Sequence, residues 1–309
     1  MTASLQQRRA SRRSAVRASA RTAGPSGWFA APALALFFVF AILPIAGVVL
    51  LSFTSWNGLG AIELTGLDSW KRVLTDPVTV NALVVTAKIM IFSFVVQFPI
   101  SLLLGVFTAG MQRYRAVLAV IYFVPLLLSS AAVAIAFKAL LDPNFGVGAI
   151  KGFEAFRQDW LGNSDLVLFV VVFVIAWQFV PLHTLIYQGG VKQIPRSLYE
   201  AAEIDGAGRV QQFFSVTLPQ LKYTIITSST LMVVGSLTYF DLIFVLTGGG
   251  PGYATRLLPL HMYLTGFRAN DMGAASALGV ILIVVGLLLA VVLQRLGGRD
   301  RAASQMEGA

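Results

Sequence analysis

The 309-residue chain contains no cysteine. That excludes disulfides, thiolate metal sites, a cysteine nucleophile and iron–sulfur ligation. It has two histidines, His183 and His261, far apart in sequence, which leaves almost no basis for a histidine-based metal site. Charge is scarce too. Only 12% of residues are charged and 57% are hydrophobic, against about 25% and 45–50% in soluble domains. A disordered chain is excluded, and a water-soluble enzyme fits poorly. There is no His-Glu-x2-His, no Gly-x-Ser-x-Gly and no Gly-x4-Gly-Lys-Ser/Thr, so the common zinc hydrolase, serine hydrolase and nucleotide-binding motifs are missing.

What the chain has is long apolar runs. A membrane-crossing helix needs about 20 mostly apolar residues. Six stretches meet that length: Trp28–Phe53, Ile89–Gly110, Ala116–Phe137, Leu166–Tyr187, Ile225–Leu246 and Met272–Leu293. Only the fifth holds an acid, Asp241. Pro44, Pro99, Pro125 and Pro181 lie inside these runs, where neighbouring helices or polar cavities can satisfy the freed carbonyls. Lys88 falls at the edge of the second run, where its stem can snorkel. The reading is an all-α integral membrane protein of six spans.

Residues 1–27 carry six arginines and no acid. The apolar run that follows is too long for a secretory signal core and lacks a clear cleavage site. These residues read as a disordered basic tail before an uncleaved first span; a nucleic-acid-binding arm is the less favoured alternative. Placing both termini in the cytoplasm puts fifteen of the 23 basic residues on the inner side and seven on the outer, as the positive-inside rule requires. The membrane domain then runs over 28–295, with a second cytoplasmic tail at 296–309.

On this topology the longest inner loop is 188–224, more than a bare bundle needs. Pro195 suits a first helical turn, Leu198 to Ile204 are good helix formers, and Gly206 is a natural stop. A second short helix is expected from about Gly208 to Leu218, with Val210, Phe213, Phe214 and Leu218 on one face. Glu200, Glu203 and Asp205 make an acidic cluster, while Ala201 and Ala202 allow close approach. Two readings remain: a protein-docking element, or an amphipathic helix resting on lipid, which the acids argue against.

Glu200-Ala201-Ala202, three residues, Gly206, nine residues and Val216-Thr217-Leu218-Pro219 resembles the EAA loop of ABC-importer permeases. Its place between the fourth and fifth of six spans is the family's place. The segment from Phe240 and Asp241 through Gly249, Gly250 and Pro251, and later Asp271 to Gly279, is similar to the carbohydrate permeases of that class, the maltose and glycerol-phosphate type. Two departures are Val216 for the common Ile and Ala82 after Asn81.

The resemblance implies a type I ABC importer transmembrane domain at a bacterial-type inner membrane. Glu200, Ala201, Ala202, Gly206, Leu218 and Pro219, within a coupling loop at 190–222, would dock on a cytoplasmic ATPase. That ATPase, not this chain, would use ATP and Mg, so neither cofactor nor catalytic residue is expected here. Further implied partners are a second, similar six-span permease and an extracytoplasmic solute-binding protein facing Gly249, Gly250 and Pro251; membrane lipid is expected around the spans and nucleic acid is not. The bland reading of the glycine triplet is a tight turn; Pro251 rather than a lysine follows it, against a phosphate cradle.

A sugar path needs hydroxyl partners and an aromatic face. Trp177, Gln178, Ser236, Tyr239 and Asp241 are the candidates. Against them, intramembrane serines often bond their own backbone, tryptophan often anchors at interfaces, and Asp241 suits an interfacial ion pair. The lack of an intramembrane arginine tilts the solute toward a neutral sugar over a glycerol-phosphate ester. An ion-coupled carrier or channel would carry paired intramembrane charges or inverted repeats, and a membrane hydrolase a second acid; the sequence shows neither.

Overall fold

A computed structural model describes residues 27–110 and 113–296. The arginine-rich leader and the tail from 297 onward, with the predictions made for them, lie outside the described residues. The chain divides into a unit ending at Val48 and a second unit from Val49. The described part of the first belongs to α1 (Trp28–Leu51), which is uncharged and apolar enough to cross a membrane. A π-helical stretch at Phe38–Ile42 precedes Pro44 in it, the expected local adjustment where proline removes a helical donor.

The second unit opens with a two-residue antiparallel pair, β1 (Thr54–Ser55) and β2 (Glu63–Leu64), and a short helix α2 (Asp68–Thr75). Helix α3 (Pro77–Thr108) follows, then α4 (Arg113–Leu127), α5 (Ser130–Leu140) and α6 (Val167–Lys192). The chain continues through α7 (Arg196–Ile204), α8 (209–220, with a π turn at Phe213–Thr217) and α9 (Lys222–Ser236). It ends with α10 (Asp241–Leu246), α11 (Leu258–Tyr263) and α12 (Met272–Leu296).

Four helices among the described residues are long and apolar enough to cross a membrane: α1, α3, α6 and α12. A fifth arises if the bent pair α4–α5 is one span. The expectation of six continuous spans is therefore corrected in two places. The third run is broken after Leu127, where α4 and α5 meet at 96°. Pro125 weakens the end of α4, and the Ser129 hydroxyl accepts from the Ala132 N–H to start a new helix. The fifth run is broken after Ser236, and Asp241 opens a separate short helix. The second run is longer than its uncharged stretch. Helix α3 extends through the exposed Lys88 back to Asp76, whose carboxylate accepts from the Val78 and Thr79 N–H groups.

Helix direction follows from side-chain register. Phe92 lies on Phe169, Phe98 on Tyr187, and Gln188 donates to the Thr108 carbonyl. Residue numbers rise together, so α3 and α6 run parallel, and α4–α5 must carry the chain back to the side on which α3 begins. Helix α9 opposes α6: Gly190 faces Leu221 and Thr224, His183 meets Ser228, and Phe179 stacks on Tyr239. Asp271, just before α12, pairs with Arg72 at 2.6 Å, so α12 starts on the same side as α3.

Gly105 lets α3 and α6 approach closely. A Cβ on Gly105 would stand 2.6 Å from the Tyr187 Cβ and 3.0 Å from the Thr184 carbonyl. Three apolar clusters line the bundle. One joins Val85, Ile89, Phe137, Val171, Ile175 and Leu242 near the Pro77 side; a second joins Val73, Ala82, Leu258 and Leu278. The third, Leu102, Tyr187, Leu221 and Met232, lies toward the Lys192 side, with Phe213 and Leu218 packed against it.

Candidate functional site

The two-helix element beyond Lys192 forms as its sequence dictates. Pro195 caps α7 without needing an N–H. Gly206 sits at φ +79°, a left-handed conformation that favours glycine. Its N–H donates to the Glu203 carbonyl, and the Ala207 N–H donates to the Ala202 carbonyl; together these bonds close the helix end. Gln212 Nε2 then donates to the Ala207 carbonyl at 3.0 Å. Tyr199 and Thr217 join the two helices through their hydroxyls, 3.0 Å apart. Glu200 takes Arg196 as an ion-pair partner at 3.1 Å, with both side chains well exposed.

One feature of this element differs from the sequence expectation. Val210, Phe213, Phe214 and Leu218 do not share a face. The π turn at 213–217 inserts an extra residue into the helical phase. Phe213 and Leu218 point into the bundle. Val210 and Phe214 stand 73% and 61% exposed, beside Ile204 at 87%. The acids Glu200, Glu203 and Asp205 and the small Ala201 are exposed on the same element, Ala202 is half-buried, and Pro219 is exposed at the return into α9. Apolar exposure of this kind, rimmed by charge, marks an interaction surface.

A cavity of about 280 Å³ opens where the fifth apolar run breaks. Ser130, Phe179, His183, Thr238, Tyr239 and Asp241 line it. Two of the five predicted path residues, Tyr239 and Asp241, meet here. Asp241 is exposed in the first turn of α10, where the helix dipole favours a carboxylate. It forms no ion pair among the described residues. The other three are placed differently. Ser236 is buried and donates to the Val233 carbonyl. Gln178 is buried and donates to the Leu128 carbonyl and the Ser130 hydroxyl, so it straps the α4–α5 break to α6. Trp177 lies edge-on to Phe137, 5.2 Å between ring centres, and lines a separate apolar groove with Tyr122 and Pro125. His183 is buried at the cavity wall with Ser228 3.0 Å away. Its spacing of four from Phe179 on α6 was the available signal.

At the Pro77 side the glycine loop is tied inward. Thr255 Oγ1 donates to the Gly250 carbonyl, and the Gly249 N–H donates to the Thr247 hydroxyl. Gly249 is buried against Leu260, and Gly250 and Pro251 are half-buried; Tyr253 is the exposed tip, with Arg256 over its ring. The start of α3 holds the loop and α11. Asn81 donates to the Tyr253 carbonyl, and Thr86 accepts from the Leu258 N–H. His261 Nε2 lies 3.0 Å from the Thr79 hydroxyl and 3.5 Å from Asp76. Burial raises the Asp76 pKa, but the hydrogen bonds from Val78 and Thr79, with His261, more than reverse this and hold the carboxyl below its ordinary value. Burial pushes His261 below its ordinary value; Asp76 opposes that and Arg256 adds to it.

A bundle of long apolar helices, with a cavity at a helix break and an exposed two-helix element at one end, defines a multi-pass membrane permease. The chain belongs to the family of binding-protein-dependent transport system inner membrane components, which it matches over residues 101–301. It is 33% identical over 272 residues to the multiple sugar-binding transport system permease protein MsmF of Streptococcus mutans, covering 85% of this chain and 92% of the relative. It is 30% identical over 271 residues to the trehalose/maltose transport system permease protein MalF of Thermococcus litoralis, covering 86% and 91%. Its fold is similar to a chain of a bacterial ABC transporter that imports the acidic polysaccharide alginate: the TM-score is 0.77 at 21% identity, covering 89% of this chain and 96% of that one.

Proposed function

We propose that this chain is one permease subunit of an ATP-driven carbohydrate importer, supplying half of the translocation path. The observation that carries this reading is the two-helix element, with the Glu200-Ala-Ala, Gly206 and Leu218-Pro219 spacing and an exposed acidic and apolar surface. Relatives named for multiple sugars and for trehalose and maltose support the solute class. The protein crosses the membrane six times, with α4–α5 and α9–α10 each acting as a broken span. Both termini are cytoplasmic, in line with fifteen basic residues on that side and seven on the other.

In this reading Glu200 meets a basic side chain of a cytoplasmic ATPase, Ala201 and Ala202 sit against its surface, and Ile204, Val210 and Phe214 fill apolar hollows in it. ATP and Mg are used in that partner. Closure of two ATPase subunits moves α7 and α8, and α9 transmits the motion because the end of α8, Leu218–Gln220, runs into it through Leu221. The result is a bias between inward-open and outward-open packings of two permeases. The solute passes at the cavity, where Tyr239 offers an aromatic face and Thr238, Ser130 and His183 offer hydrogen bonds. Asp241 there disfavours an anionic ester, which supports a neutral sugar over glycerol phosphate. A solute-binding protein docks at the glycine loop side, at Tyr253 and its neighbours Gly250 and Pro251.

Vesicles test the proposal. Purified protein alone is expected to move no sugar. With a second permease, the ATPase and the binding protein, uptake requires ATP. Sugar movement by the chain alone, or uptake driven by an ion gradient without ATP, overturns it.

A further inference from the structure

The segment between α5 and α6, 141–166, is a small lobe with two sides. Leu141, Trp160 and Leu161 turn inward and pack on the cluster of Val85, Ile89 and Phe137. Phe145, Ile150, Phe153 and Phe156 turn outward and are 89%, 56%, 49% and 53% exposed. The lobe is held by its own backbone. Asp142 Oδ1 accepts from the Asn144 and Phe145 N–H groups, and Trp160 Nε1 donates to the Phe156 carbonyl. A Cβ on Gly148 would stand 2.5 Å from the Arg157 Cα, so the turn after Phe145 is pressed against the turn that carries Phe156. Phe153 and Phe156 touch each other, with ring centres 6.3 Å apart.

Charge on the lobe is arranged around these side chains. Three of its four acids, Asp142, Glu154 and Asp159, accept N–H groups of the lobe itself. Its two bases, Lys151 and Arg157, directly follow Ile150 and Phe156. Both are exposed, and neither forms an ion pair among the described residues. The place of the lobe is set by the helices it joins. Helix α6 runs parallel to α3, so its start, and the lobe with it, lies on the Pro77 side. One end of the lobe leaves the bent pair α4–α5 and the other enters a membrane-crossing helix. The next large apolar side chains exposed along the chain, Phe169 and Phe173, stand on that helix.

Large apolar groups exposed at the end of a span meet lipid or another protein. Two observations favour lipid here. The apolar surface continues onto a helix that already faces the membrane. Each base also sits beside an apolar anchor, the arrangement in which a cationic head reaches the phosphate level while its stem lies on apolar surface. We infer that the lobe docks on the membrane itself. Phe145, Ile150, Phe153 and Phe156 enter the boundary between headgroups and acyl chains of the leaflet on the Pro77 side, and Lys151 and Arg157 reach its phosphate oxygens. The exposed element α7–α8 differs, because its acids Glu203 and Asp205 are exposed and would oppose a phosphate surface. The inference rests on the chain spanning a membrane. It does not depend on the carbohydrate reading or on which side is cytoplasmic.

The chain has no cysteine, so the single variants Phe145→Cys, Phe153→Cys, Phe169→Cys and Tyr253→Cys each carry one site for a small fluorophore. The full chain is placed alone in lipid nanodiscs, and quenching is read with nitroxide-labelled lipid and with iodide in the water. Phe169 marks contact with lipid, and Tyr253 marks the exposed tip of the glycine loop. Labels at 145 and 153 are expected to be quenched by a nitroxide near the lipid glycerol at least half as strongly as the label at 169. Iodide should quench them several-fold less than the label at 253. A photoreactive lipid applied to the unsubstituted chain gives a check free of any variant, with adducts several-fold more frequent on 144–157 than on 248–256. Labels at 145 and 153 that iodide reaches as freely as 253, or that are shielded only after a second permease or a binding protein is added, overturn the inference. Lipid adducts no more frequent on 144–157 than on 248–256 overturn it whether or not the variants fold.

Discussion

The two ends of the bundle solve the same problem in opposite ways. At the Pro77 side, loops and helix starts bond to one another: Asp76 caps α3, Thr79 meets His261, Asn81 holds the Tyr253 carbonyl, and Arg72 pairs with Asp271. At the Lys192 side, α7 and α8 are internally well closed but present Ile204, Val210 and Phe214 to solvent beside three acids. Large apolar side chains left exposed on an otherwise satisfied element have no use in a lone chain. The first end holds its own shape, and the second leaves exposed the surface that the proposed ATPase contact would cover.

The largest effect should come from Gly206→Val. A β-branched residue at φ +79° costs on the order of 1–2 kcal/mol locally and re-aims both helices. ATP-driven uptake in reconstituted vesicles is expected to be lost, with membrane insertion kept. Next comes the contrast between adjacent phenylalanines. Phe213→Ala should lower stability by roughly 3 kcal/mol, the low end for a phenylalanine truncated in a core, because Phe213 packs against the Leu102–Tyr187 cluster. Phe214→Ala should leave the melting curve within about 0.5 kcal/mol of wild type while reducing uptake. Equal melting losses in the two variants would erase the inward–outward distinction.

The Pro77 side should respond to acid instead. His261 titrates below its ordinary 6.5 and Asp76 below its ordinary 3.8 when folded. In both, the unfolded chain takes up the proton first, so stability rises with pH. It should be complete above about pH 6.5, fall as pH drops through the folded value of His261, and fall again through that of Asp76. Melting temperature followed against pH checks this, and His261→Gln should flatten the first step. The smallest effect belongs to Arg196→Ala. The Arg196–Glu200 pair is exposed, and such pairs add little; no change in melting is expected.

The two-helix shape of 195–220 was legible because its signals are covalent spacings: a proline before a helix, a glycine after it, a proline at the return. Its phase was not, since a π turn depends on backbone bonding that no apolar pattern records. The same reason hid the breaks. Runs of apolar side chains continue through Leu127 and Ser236, while the helices end there. In hindsight Pro125 followed by Ser129 is a stop and a new cap, and an acid at position 241 suits a helix start. Lys88 misled in the other direction, because a charge test ended the second run where the helix continues. Of the candidate residues, Tyr239 and Asp241 line the cavity, whereas Gln178 and Trp177 could not be told from strap and groove without knowing which side of α6 faces it.

The absence of cysteine makes the central claim directly testable, since any cysteine introduced is the only one in the chain. Single variants Ile204→Cys, Phe214→Cys and Tyr253→Cys can be placed in the assembled importer and treated with a short bifunctional cross-linker. The first two are expected to join the ATPase subunit, with yields that change on adding ATP, while Tyr253→Cys does not. No cross-link from 204 or 214, or an equal one from 253, would contradict the assignment of the two-helix element as the place where the motor takes hold.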